Sequence, residues 1–143
     1  MFERADIRGF FKSLNKETIH LVDEFYDAAA CFEDPLGKHQ GIARIRKYYA
    51  HLYQNVQSID FTFQEEVVQG STHVLPWRMD LVSKLNSGRP LSLDGISYIE
   101  FGGERGKAIF HRDYFDMGAF VYEGVPLLGG IIRFIKGQLK PRE

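Results

Sequence analysis

Arg78 and Asp80 stand two residues apart in WRMDLV, and Asp113 follows in HRDYFD. Both segments read as β-strand, and strand side chains alternate faces, so Arg78 and Asp80 share a face. If Asp113 projects to that face from a neighbouring strand, one arginine is flanked by two carboxylates. A buried arginine keeps its charge and needs carboxylate partners. Two carboxylates around one guanidinium can hold a single proton between them. The ionised one then activates a water, and the protonated one protonates a leaving oxygen. The same spacing also fits a structural ion pair or exposed charges that never meet. If the group is buried, losing Arg78 strands two carboxylates at a cost of about 3–5 kcal/mol.

Asp34 is a fourth candidate, beside Phe32 and directly before Pro35. The proline pushes Asp34 into an extended backbone. A carboxylate in an apolar pocket can serve as a base near neutrality, while Asp-Pro is also a common turn opener. His111 precedes Asp113 by two residues and shares its face. None of His20, His39, His51, His73 and His111 has tight metal-ligand spacing, so no metal is expected. FGGERGKA lies between two strands and reads as a hairpin turn, without the spacing of a phosphate loop.

These residues need elements to hold them. Residues 4–14 are predicted helical, with Ile7, Phe10, Phe11 and Leu14 at helical spacing. Asn15 is a plausible cap for a second helix that carries Ile19, Val22, Phe25, Tyr26 and Ala29 on one face. CFED is extended and PLGKHQG is a turn or loop. A third helix starts near Ile42, with Ile45, Tyr48, Tyr49 and Leu52 on one face. Strands are predicted at 59–69, 73–85, 91–101 and 107–116. A final amphipathic helix is expected around 127–139, packed on the body or on a partner, with a membrane surface as the other reading. Helices followed by hairpin-linked strands indicate an α+β domain spanning 1–143.

Composition narrows the function classes. The chain has 143 residues, one domain's worth, and its 12 Phe, 7 Tyr and 1 Trp favour a packed core or an apolar pocket. The net charge of −1 gives no basic footprint for nucleic acid. Cys31 is the only cysteine, so no intrachain disulfide forms and a reducing cytoplasm fits. The charged N-terminus has no apolar signal core, and no apolar run approaches the roughly 20 residues of a transmembrane segment.

Taken together, RMD, the GRP turn and HRDYFD resemble the limonene-1,2-epoxide hydrolases of the nuclear-transport-factor-2-like superfamily, which includes the SnoaL-like proteins. The resemblance implies a cone of curved antiparallel sheet, wrapped by N-terminal helices around a deep pocket. It implies a homodimer through the sheet, no cofactor, and a small apolar substrate. In roles, it implies Asp80 as acid on an epoxide oxygen, Asp113 as base for water and Arg78 as the bridge. Phe32 and Asp34 stand where those hydrolases carry a tyrosine and an asparagine.

FEDPLG followed by GIARIRKYY resembles the Δ5-3-ketosteroid isomerases instead. There Asp34 matches the proton-moving base, and Tyr26 and Tyr49 match two tyrosines of the network. Phe10 and Ser97 stand where the isomerase oxyanion donors would be. Polyketide cyclases of this fold also employ an acid/base Asp. The expected pocket lining is Phe32, Tyr49, Leu93, Ser97, His111 and Phe115. Three readings stay open: epoxide hydrolysis, isomerase- or cyclase-like proton transfer with Asp34 as base, and a non-catalytic binding or assembly module.

Overall fold

A computed structural model describes residues 6–116 and 126–140. Helix α1, Ile7–Ser13, starts where the Asp6 carboxylate accepts from the Gly9 amide at 2.9 Å. It buries Ile7, Phe10 and Phe11. Asn15 caps a turn rather than a helix, accepting from the Glu17 amide at 2.8 Å. Helix α2 is short, Leu21–Phe25.

The expected second helix therefore ends before Tyr26 and Ala29, and strand β1, Tyr26–Asp34, replaces it. Pairing overrides the helical preference of the alanines. Strand β2, Gly37–Gln40, runs antiparallel on one side of β1, and β7, Ala108–Phe115, runs parallel on the other. Much of the expected PLGKHQG loop is thus a strand.

Helix α3, Ile42–Gln54, buries Ile45, Tyr49 and Tyr53, with Tyr48 and Leu52 partly buried beside them. The single strand expected at 59–69 is two, β3 (Val56–Phe63) and β4 (Val67–Gln69). Strands β5 (Thr72–Ser83) and β6 (Pro90–Phe101) lie close to expectation.

The main sheet has the order β2-β1-β7-β6-β5-β3, with β4 on β5. It is curved and unclosed, and it is mixed rather than wholly antiparallel because of the β1–β7 pair. That pair joins segments from opposite ends of the chain, which no hairpin could do. The core fills the space between the sheet and the helices. Phe10 of α1 stacks on Phe25 at 4.0 Å and meets Tyr26 and Tyr49 edge-on.

Helix α4, Pro126–Leu139, matches the expected final helix. Its Ile131, Phe134, Ile135 and Leu139 are exposed rather than covered by the body. Lys136 pairs with Asp116 at 2.7 Å. No helix of the described residues is long and apolar enough to cross a membrane.

Candidate functional site

Strand β5 decides the fate of the first three candidates. Its alternate residues Leu75, Trp77 and Leu81 are buried, with Met79 packed against the core, so that set faces inward. Arg78 and Asp80 therefore face outward, with side chains 54% and 48% exposed. They lie near each other at 3.7 Å, and Ser92 on β6 donates to Asp80. The expected convergence of Arg78, Asp80 and Asp113 in one hollow is corrected. A strand buries its apolar set, and here that set is the odd-numbered one.

Asp113 does face inward, and its companion is Asp34. Strands β1 and β7 pair Phe32 with His111 and Glu33 with Arg112. Asp34 and Asp113 are the next positions along the same face. Neighbouring strands lie about 4.8 Å apart, which sets the scale of the separation. Both carboxylates line one cavity of about 70 Å³, room for about five waters or a small organic molecule.

The rest of the lining is apolar and aromatic. It comes from α1 (Phe11), α3 (Tyr48, Tyr49, Tyr53), β3 (Ile59, Phe61), β5 (Trp77, Met79, Leu81) and the strands that carry the acids. Of the expected lining, Phe32, Tyr49, Leu93 and Phe115 are on the wall. Ser97 and His111 are fully buried and sit behind it, bonded to Asp113.

The two acids are held differently. Asp34 is 6% exposed. Its Oδ1 accepts from the amides of Leu36 and Gly37 at 2.9 and 3.2 Å, and its Oδ2 accepts from the Tyr48 hydroxyl at 2.5 Å. The turn forced by Pro35 supplies the two amides. Asp113 uses one oxygen only. Its Oδ1 accepts from Ser97 at 2.6 Å and lies 2.6 Å from His111 Nε2. Among the described residues Oδ2 has no hydrogen bond.

A buried chain of donors supports Asp113. His111 Nδ1 lies 2.6 Å from the Tyr26 hydroxyl, which lies 2.8 Å from that of Tyr49. The neutral His111 tautomer with a proton on Nε2 satisfies every link. Nε2–H donates to Asp113, Tyr26 donates to Nδ1, and Tyr49 donates to Tyr26. Ser97 in turn accepts from Trp77 Nε1 at 2.9 Å. Gly95 lies opposite Trp77, and a Cβ there would meet the indole at 2.3 Å.

The tyrosines are fixed as neutral hydroxyls. Burial pushes Tyr26 and Tyr49 well above the ordinary tyrosine value. Burial also raises Tyr48, reinforced by the charge of Asp34, and raises Tyr53, reinforced by the charge of Asp113. Tyr53 lines the cavity, and its hydroxyl has no hydrogen bond among the described residues. Tyr48, Tyr53 and Trp77 escaped the expected site. Tyr53 follows Tyr49 by four residues on α3, the spacing that places both on one helical face.

Among the described residues no group of three or more His, Cys, Asp or Glu side chains is placed to hold a metal ion. Among the described residues the cavity offers two carboxylates, one with an oxygen that makes no hydrogen bond, an unengaged phenol and a mostly apolar wall. Such a set can take up, return and hydrogen-bond a proton's worth of charge.

Solved structures share this architecture. A candidate SnoaL-like polyketide cyclase from Shewanella denitrificans has a TM-score of 0.69 at 16% identity, over 79% of this chain and 89% of that one. An LEH-like epoxide hydrolase from M. tuberculosis has a TM-score of 0.66 at 17% identity, over 96% and 92%. A protein with a ketosteroid isomerase-like fold from Catenulispora acidiphila, in complex with trimethylamine, has a TM-score of 0.67 at 13% identity, over 82% and 90%. Likeness at these identities shows the fold. No protein of curated function matches the chain. The profile of the SnoaL-like domain runs through residues 7–111, from α1 through the strand that carries Asp34 to His111 behind the cavity wall. On that span, well over half its length, the chain belongs to the SnoaL-like domain family.

Proposed function

We propose that this chain is a cofactor-independent enzyme that moves a proton at a carbon beside a carbonyl group in a small, mostly apolar molecule. The observation that carries this reading is Asp113 Oδ2, without a hydrogen bond among the described residues, on the same mostly apolar cavity wall as Asp34. Asp113 Oδ2 takes the proton from carbon. The C–H electron pair becomes the new C=C bond, and the carbonyl π pair moves onto oxygen. The Tyr53 hydroxyl donates a hydrogen bond to that oxygen, as a neutral donor aimed at developing charge. Where a C=C bond adjoins the deprotonated carbon, the dienolate takes the proton back from Asp113 at its far carbon as the double bond shifts, which is an isomerisation. Alternatively, the enolate carbon attacks a second carbonyl in the same molecule, and the new alkoxide takes the proton from Asp113. That is a ring closure.

In this scheme Asp113, rather than Asp34, is the base. Asp34 is engaged through both oxygens by three donors and acts as a fixed charge on the wall. Ser97 and His111 are positioning residues that hold Asp113. Water addition to an epoxide through Arg78 and Asp80 is not part of the proposal, because both side chains face away from the cavity. A homodimer through the outer sheet face remains part of the reading, supported by exposed Ile96 and Tyr114, and sedimentation tests it.

The test is deuterium uptake from D2O into small cyclic ketones, followed by NMR, alongside hydrolysis of small cyclic epoxides. Catalysed exchange without epoxide opening supports proton transfer. Epoxide opening without exchange replaces it with water addition, and neither activity leaves a binding module.

A further inference from the structure

Among the described residues, the charged groups on the cavity wall are all of one sign: none that lines it is Lys, Arg or His, and the two charged side chains are Asp34 and Asp113. His111 lies behind Asp113, and its two ring nitrogens are spent on Asp113 and Tyr26. Two carboxylates on one wall, with no Lys or Arg among the described residues that line it, repel each other. The rings of Trp77, Tyr48, Tyr53 and Phe61 line the same cavity, and aromatic faces attract cations. A second observation also asks for a ligand. Tyr53 is 4% exposed and lines the cavity, and its hydroxyl has no partner among the described residues.

We propose that the cavity selects a small organic cation, an aliphatic or alicyclic amine in its ammonium form. The ammonium sits against Asp34, and the hydrocarbon lies on the aromatic wall. Asp34 suits the anchor because its three donors fix the carboxylate in place. This leaves Asp113 Oδ2 for the reacting carbon. The inference rests on the proton-transfer reading for its choice of cavity, and it names the charge of the substrate. An enolate forming near a fixed carboxylate meets repulsion, and a substrate that carries its own positive charge offsets it.

Calorimetry with cyclopentylamine and with its neutral isostere cyclopentanol tests the proposal on the wild-type protein at neutral pH. The amine is expected to bind at least about tenfold tighter than the alcohol. In Asp34→Asn, and more completely in the Asp34→Asn/Asp113→Asn double variant, the preference should fall to about threefold or less. Equal or tighter binding of cyclopentanol overturns the proposal, as does a preference that survives in a folded double variant. If the variants do not fold, the wild-type comparison decides alone. Binding is read without turnover. Amine preference without deuterium exchange therefore sinks proton transfer alone, and exchange without amine preference sinks only the cation.

Discussion

Asp34 and Asp113 are neighbours on the parallel strands β1 and β7, two positions beyond the Phe32–His111 pair whose rings meet at 4.6 Å. The pairing joins a loop-forming Asp-Pro from the first quarter of the chain to a strand near its end. Three donors hold Asp34 on both oxygens, whereas both of Asp113's bonds fall on Oδ1. One acid is thus a fixture and the other has a free edge.

The outward position of Arg78 gives a direct expectation. Its contact with Asp80 is a long, half-exposed one, and such pairs contribute about 1 kcal/mol or less. Arg78→Met should therefore shift the urea unfolding free energy by less than about 1 kcal/mol, far from the 3–5 kcal/mol of a buried guanidinium. A loss in the larger range would place Arg78 inside the fold.

Ser97 links Trp77 to Asp113, and Ser97→Ala breaks both bonds at once. A buried indole N–H loses its acceptor, which costs about 1–3 kcal/mol of stability. Asp113 also loses an orienting donor, so turnover should fall by about tenfold to a hundredfold while the apparent affinity changes little. Ser97→Thr, which keeps the hydroxyl, should recover part of the rate. Steady-state kinetics on the three proteins checks this.

Gly95 makes room for Trp77, since a side chain there would collide with the indole. Gly95→Ala should push Trp77 toward the cavity and destabilise the fold by about 1–3 kcal/mol. The shift is measured by thermal unfolding and by a changed Trp77 emission, as Trp77 is the only tryptophan. Unchanged emission and stability would mean that the strand pair absorbs the methyl.

The tyrosine cluster makes the fold sensitive to alkali. Tyr26, Tyr48, Tyr49 and Tyr53 are all raised by burial, so the folded protein keeps protons that the unfolded chain releases above about pH 10. Above that pH the unfolded state binds fewer protons, and stability falls with rising pH by about 1.4 kcal/mol per unit for each such tyrosine. Below it their contribution is complete. Urea titrations across the range should show phenolate absorbance from these residues appearing only with unfolding.

Much of this was legible in the chain. Helix α3 announces itself through Ile45, Tyr49 and Leu52, and the four later strand segments fall near their apolar alternations. Asp34 was readable as extended from Pro35. The register of WRMDLV was also written there. Trp77, Met79 and Leu81 form the apolar set, so the charged set between them had to face out; the Arg-x-Asp spacing alone hid this. Strand β1 was not legible, because Ala28, Ala29 and Ala30 carry a helical preference that only pairing with β2 and β7 overrides. The Asp34–Asp113 pairing is a parallel contact between distant segments, and no local signal encodes it.

Deuterium exchange into a small cyclic ketone, compared among the wild type, Asp113→Asn and Asp80→Asn, tests the central claim most directly. The account predicts that Asp80→Asn exchanges at nearly the wild-type rate, while Asp113→Asn, still folded, loses at least about a hundredfold, as expected for removal of a general base. Full exchange by Asp113→Asn, or a collapse confined to Asp80→Asn, would contradict it.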